Sequence, residues 1–130
     1  MPSPTASKPP ARHPRKLRVT VLCGGPSAER EISLTSGNAV ADALRRNGHE
    51  VFVADIGPNQ LAALDHPADV VFPALHGPFG EDGTVQRLLA ERKLPFVGSD
   101  ARASALAMDK VATKEAVIAA GIPTPAYEVW

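Results

Sequence analysis

Stretches with the two-residue rhythm of β-strands alternate strictly along this chain with stretches of helical rhythm. Two parallel strands need a crossover between them, usually a helix. Strict alternation therefore confines the chain to an α/β fold: an open, mainly parallel sheet with helices on both faces. Residues 17–23 alternate and then become continuously apolar, as a strand covered on both faces does. Gly24-Gly25-Pro26-Ser27 breaks it. Residues 28–47 then turn helical, with Ile32, Val40, Ala43 and Leu44 at helical spacing, Glu29 and Glu31 early, Arg45 and Arg46 late, and Gly48 as the stop. A second strand is expected over 50–56, a short helix over 59–66, and a third strand over 68–75, with Pro73 near its end where a missing donor is tolerated. A helix over 84–93 turns Val85, Leu88 and Leu89 inward and places Arg92 and Lys93 at its carboxyl end. A short fourth strand follows at 94–97, closed by Gly98. Asp100 reads as the N-cap of a helical stretch reaching about residue 120, where Gly121 and Pro123 end it.

Size and charge narrow what such a sheet can do. With 130 residues, 44% of them hydrophobic, the chain has apolar mass for one core and no room for a second full domain. Its 14 basic and 14 acidic residues cancel overall but are unevenly placed. The first eighteen positions hold Lys8, Arg12, Arg15, Lys16 and Arg18 and no acid, so the remainder is net −5, which argues against nucleic acid as a partner. Residues 1–16, with Pro2, Pro4, Pro9, Pro10 and Pro14, read as a disordered Pro-rich basic tail. The single Cys23 excludes an internal disulfide and fits a reducing compartment. No apolar run is long enough to span a bilayer, and the amino terminus lacks the apolar core of a signal peptide, so a cytoplasmic protein with no membrane partner is expected.

In open parallel sheets, ligands bind beyond the carboxyl ends of the strands, where loops converge. Two loops qualify. The first, Cys23 to Glu31, sets two glycines at the turn, so that backbone amides can face a ligand. In it, Glu29 stands in the first turn of the helix, where the dipole favours a carboxylate. That suits it to hold a ligand ammonium, although Glu29 and Glu31 read equally as ordinary first-turn acids. The second loop, His76-Gly77-Pro78-Phe79-Gly80-Glu81-Asp82-Gly83-Thr84-Val85-Gln86, places an imidazole directly after an apolar strand. His76 there is suited to orient a substrate carboxylate or move a proton, or simply to hydrogen-bond its own loop. Asp82-Gly83 has the look of a tight turn and Asp82 or Thr84 that of a cap, which makes Glu81 and Asp82 structural.

On a continuous helix over 101–120, Lys110 and Lys114 would fall inside the apolar arc of Leu106, Ala107, Val111, Val117 and Ile118. Either the helix breaks near Met108-Asp109, with Asp109 capping a second segment, or a lysine reaches past the core edge toward an anion. Other motifs carry little. Gly24-Gly25 followed by Asp55 imitates a dinucleotide site without the G-x-G-x-x-G spacing, and the chain contains no Walker A sequence, CxxC pair or HExxH helix.

Three blocks together closely resemble the amino-terminal, pre-ATP-grasp domain of the D-alanine-D-alanine ligase family. They are Gly24 to Leu34, Ala74 through Gln86, and Gly98-Ser99 with Ser104 to Lys110. The resemblance runs from 17 to about 125 and implies a Rossmann-like substrate domain, with 126–130 opening a central domain that the chain does not include. It implies an ATP- and Mg-dependent ligase of the cytoplasm, commonly a homodimer, making D-alanyl-D-alanine for peptidoglycan through an acyl phosphate. By the family pattern Glu29 would hold the ammonium of the first D-alanine, His76 with Gly77 would position that substrate, and Lys110 would approach the ATP phosphates. Magnesium ligands and most phosphate contacts would lie beyond Trp130, so the isolated chain is expected to be inactive. The choice of second substrate would also be made there. Pro26 and Arg87 depart from the family pattern. The alternative reading is a stand-alone, non-enzymatic module for small-ligand binding or dimerisation.

Overall fold

The computed structural model describes residues 15–130, so all but Arg15 and Lys16 of the expected tail lies outside the described residues. In chain order the elements are β1 (Arg18–Gly24), α1 (Arg30–Arg46), β2 (Glu50–Ile56), a 3-10 turn (Ala62–Asp65), β3 (Val70–Pro73), α2 (Thr84–Glu91), α3 (Ala101–Met108) and α4 (Lys110–Ala119). The three strands form a parallel sheet in the order β2-β1-β3, with Val21 opposite Val53 on one side and Phe72 on the other. At the amino end of β1, Asp69 accepts hydrogen bonds from the Arg18 backbone N–H (2.8 Å) and guanidinium (3.0 Å), pinning the β1–β3 register. Those bonds pull the Asp69 carboxyl down to about 2.

The pleat divides the core in two. Val19 and Val21 of β1 face α1 together with Ala41 and Ala74. Leu22, on the opposite face, joins Ile56, Val71, Leu75, Phe79, Val85 and Leu89 beneath α2 and the 3-10 turn. Leu22, Val85 and Leu89 are completely buried, each worth roughly 1.5–3 kcal/mol relative to exposure. Helices thus cover both faces, as strict alternation requires.

Three local expectations change, and one open reading is decided. Residues 94–97 make a single bridge rather than a strand: Val71 N donates to Pro95 O (2.8 Å) and Val97 N to Val71 O (3.0 Å). Pro95 has no N–H to extend the ladder. Helix α1 turns Ser33, Gly37 and Ala41 inward while Ile32 is 60% exposed, because only small residues fit where α1 crosses β1. A Cβ at Gly37 would lie 2.6 Å from that of Cys23. Burial beneath this crossing pushes the Cys23 thiol up. Helix α2 stops at Glu91, leaving Arg92 as its C-cap and Lys93 beyond. The long carboxyl-terminal helix breaks at Asp109, whose backbone is extended (ψ 109°) and whose carboxylate accepts from Ala112 N at 2.9 Å. Asp100 caps α3 in the same way, accepting from Ala103 N at 2.8 Å.

Candidate functional site

Both loops singled out in the sequence emerge from the carboxyl ends of adjacent strands, β1 and β3, and α1 ties them together. Ser33, one turn into α1 and fully buried, accepts from Gly24 N (2.9 Å) and donates to Ala74 O (2.5 Å). One hydroxyl therefore closes a bridge between the roots of the two loops. A second clamp shapes the first loop from the side. Arg30 meets Asp55 with both terminal guanidinium nitrogens, one of which also donates to Gly25 O (3.3 Å). The paired Arg30 holds the Asp55 carboxyl below its usual range, with the Gly25 amide assisting and burial opposing. Gly24 (φ +80°) is required there, because a Cβ would overlap the Asp55 carboxylate. With its carboxylate engaged in this way, Asp55 is a loop fastener rather than the ribose contact of a dinucleotide site.

Glu29 occupies the N-cap position of α1 without capping it by its side chain. Its backbone is fixed instead: its N–H donates to Ser27 Oγ (3.1 Å) and its carbonyl accepts from Ser33 N (3.0 Å). The carboxylate is left exposed beside the second loop, where Glu29 Oε2 lies 3.5 Å from the position a Cβ on Gly77 would take. Ser27 is closer still, at 2.9 Å from that position, so Gly77 (φ +68°) is what allows the two loops to touch.

His76 is partly exposed, its ring set between Ser36 Oγ (3.3 Å from Nε2) and Glu81 Oε1 (4.0 Å from Nδ1). The rest of the second loop is held internally. Glu81 accepts from Gly77 N (2.7 Å), and Asp82 accepts from Phe79 N and Thr84 N (both 3.0 Å). Burial pushes the Asp82 carboxyl up, but these bonds outweigh it and the net shift is downward. Gln86 donates to Gly80 O (2.8 Å) from inside the loop. Phe79 adopts φ +74°, a conformation uncommon for a non-glycine residue, held by burial of its ring in the core. Glu81 and Asp82 are thus structural, as the turn chemistry implies.

The structure brings together Glu29, His76 and Gly77, and leaves Lys110 apart from them. Lys110 opens α4, whose main packing partner is α3, and its ammonium has no hydrogen bond or ion pair among the described residues. It borders a groove of about 300 Å³ with Ala107, Thr113, Lys114 and Val117. Lys114 is already used, donating to Thr124 Oγ1 (2.7 Å) and Pro125 O (2.9 Å). Of the two departures noted in the sequence, Pro26 is exposed and Arg87 pairs with Glu91 at the surface (2.8 Å). Sequence reasoning missed Ser33, Ser36 and the Arg30–Asp55 clamp. The available signal was the four-residue spacing of Ser33, Gly37 and Ala41, a stripe too small to register as hydrophobic periodicity.

Two loops thus meet at the carboxyl edge of an open parallel sheet, with an exposed carboxylate and an imidazole beside their junction, the edge at which domains of the open α/β class hold their ligands. The chain belongs to the D-Ala-D-Ala ligase N-terminus family, whose model matches residues 18–61 and 56–99. It is 53% identical over 115 residues to a D-alanine-D-alanine ligase of Moorella thermoacetica, covering 88% of this chain and 37% of that one. A D-alanine-D-alanine ligase of Aquifex aeolicus is 51% identical, with 88% and 40% covered. The chain thus spans about two-fifths of these relatives' lengths. Among solved structures, the D-alanine-D-alanine ligase of Aeromonas hydrophila superposes with a TM-score of 0.78 at 32% identity, covering 88% of this chain and 50% of that one. That of Bacillus anthracis in complex with ATP gives 0.72 at 34% identity, covering 85% and 38%.

Proposed function

We propose that this chain supplies the substrate-side domain of an ATP-dependent ligase that joins two D-alanines into D-alanyl-D-alanine for peptidoglycan precursors in the cytoplasm. The observation that carries this is the contact between the two loops at Gly77, which sets the free carboxylate of Glu29 beside the backbone that follows His76. An anionic group there complements the ammonium of an amino acid, and its fixed backbone keeps it in place before the substrate arrives. His76, braced by Ser36, borders the same junction and positions the first substrate, with Gly77 leaving room for it. In such a ligase ATP would supply the phosphoryl group that activates the first D-alanine carboxylate, with ADP leaving, and the amine of the second D-alanine would then displace phosphate.

The described residues fit that cofactor only in part. Lys110 is an unpaired cation suited to one phosphate contact, and no cluster of three His, Cys, Asp or Glu side chains able to hold a metal occurs among the described residues. Magnesium ligands would come from elsewhere in the ligase, as would the clasp for the nucleotide. On this reading 17–125 is the substrate domain, 126–130 leads into the next one, and the 130-residue chain alone turns over no ATP. Ile32, 60% exposed on α1, is suited to the homodimer contact. The test is to express the complete reading frame containing this chain and follow ADP release. Release that depends on D-alanine and yields D-alanyl-D-alanine is expected. Steady release from the isolated chain, or none from the complete product, would overturn the proposal.

A further inference from the structure

Ser36, His76 and Glu81 stand in the order of a serine, histidine and acid triad, yet their geometry runs the other way. In a triad Nδ1–H donates to the acid and Nε2 accepts the serine proton. Here the Ser36 hydroxyl has two nearer acceptors than the ring, Ile32 O at 3.0 Å and Ser33 O at 3.2 Å, against 3.3 Å to His76 Nε2. A serine inside a helix commonly donates to the carbonyl four residues back, and it has only one proton to give. Its oxygen is then free to accept. On the other side of the ring, Nδ1 lies 4.0 Å from Glu81 Oε1, beyond hydrogen-bond reach, and the second Glu81 oxygen is held by Gly77 N at 2.7 Å.

We infer that Ser36 is a positioning residue that accepts the Nε2–H of His76 and so fixes the neutral ring in that tautomer, leaving Nδ1 without a hydrogen on the side that faces Glu81 Oε1. Two consequences follow. Ser36 is not a nucleophile, because its proton is committed to the helix backbone and no base faces it. Neutral His76, for its part, offers a ligand an acceptor, not a donor. While neutral it takes an ammonium or hydroxyl hydrogen. It donates to a carboxylate only after a second proton arrives at Nδ1, where Glu81 competes for it. The ligand statement rests on the substrate-positioning role proposed for His76, whereas the tautomer belongs to the free chain and stands or falls without it.

The tautomer can be read directly by long-range proton-nitrogen correlation on the 130-residue chain with ¹⁵N-labelled histidine, in alkaline solution where imidazole is neutral. Nε2–H is expected to dominate. Ser36→Ala should raise the Nδ1–H fraction roughly threefold or more, the equilibrium equivalent of one neutral hydrogen bond. Ser36→Thr, which keeps the hydroxyl, should restore the original ratio. A part-exposed helix site accepts either substitution without loss of fold, and the dispersion of the same spectra reports it. Dominant Nδ1–H in the unaltered chain, an unchanged ratio in Ser36→Ala, or labelling of Ser36 by a fluorophosphonate would each overturn the inference.

Discussion

Helix α1 buries Ser33, Gly37 and Ala41 against the sheet, whereas α4 buries none of its ten residues. Both helices have an acid at the N-cap position, Glu29 and Asp109, but their surroundings differ. The first is locked to two strands and two loops through Ser33, Ser36 and Arg30. The second rests mainly on α3, with Val111 and Ile118 exposed, as is Ile122 just beyond its end. The difference teaches that Glu29 and His76 are held in place by contacts within this chain, while Lys110 stands on a helix with an exposed apolar face. Preorganised contacts cost little to use on binding, and Lys110 has no comparable support.

The sharpest way to break this contrast is at the joint between the two regions. Gly83 has φ +93°, and a Cβ there would overlap the Ala101 carbonyl at the start of α3. Gly83→Val combines left-handed backbone strain with that clash and should cost about 4 kcal/mol in urea unfolding. Within the sheet region, Leu22→Ala empties a fully buried site and should cost about 3 kcal/mol. The matching truncation on α4, Ile118→Ala at 54% exposure, should stay within about 0.5 kcal/mol in the same experiment. If the two were equal, the regions would not differ as described.

Finer tests address the loop fasteners. Ser33→Ala leaves the buried Gly24 N–H and Ala74 carbonyl without their partner and should cost about 2 kcal/mol, with faster amide exchange at Gly24 than at β2. The smallest effect is a pH dependence. The Asp55 carboxyl is depressed in the folded chain, chiefly by Arg30, so its contribution is complete above the unfolded value of about 4. That contribution is lost as pH falls through the lower folded value. Denaturation midpoints should therefore decline on acidification in this window, and less so in Asp55→Asn. An equal decline in both would remove the clamp from the account.

How much of this could be read from the sequence depended on which signal each feature leaves. Strands β1 and β2 and the two loops were legible because apolar alternation and glycine clusters are strong local marks. The inner face of α1 was not: Ser33 and Gly37 pack closely because they are small, and hydropathy does not register a close approach. The fourth strand looked complete, but Pro95 limits it to one bridge. The break at Asp109 was one of two open readings, and the capping bond to Ala112 N decides for it. Glu29 and His76 could be named from their places at the two loops. That Ser36 and Glu81 flank the ring is a tertiary fact that spacing does not carry.

The central claim is that Glu29 receives the substrate ammonium at the junction of the two loops. Its most direct test is D-alanine-dependent ADP release by the product of the complete reading frame, comparing Glu29→Gln with the unaltered protein. The account predicts a fall in kcat/KM of about 100-fold at an unchanged unfolding midpoint. Activity within twofold of the unaltered protein would contradict it.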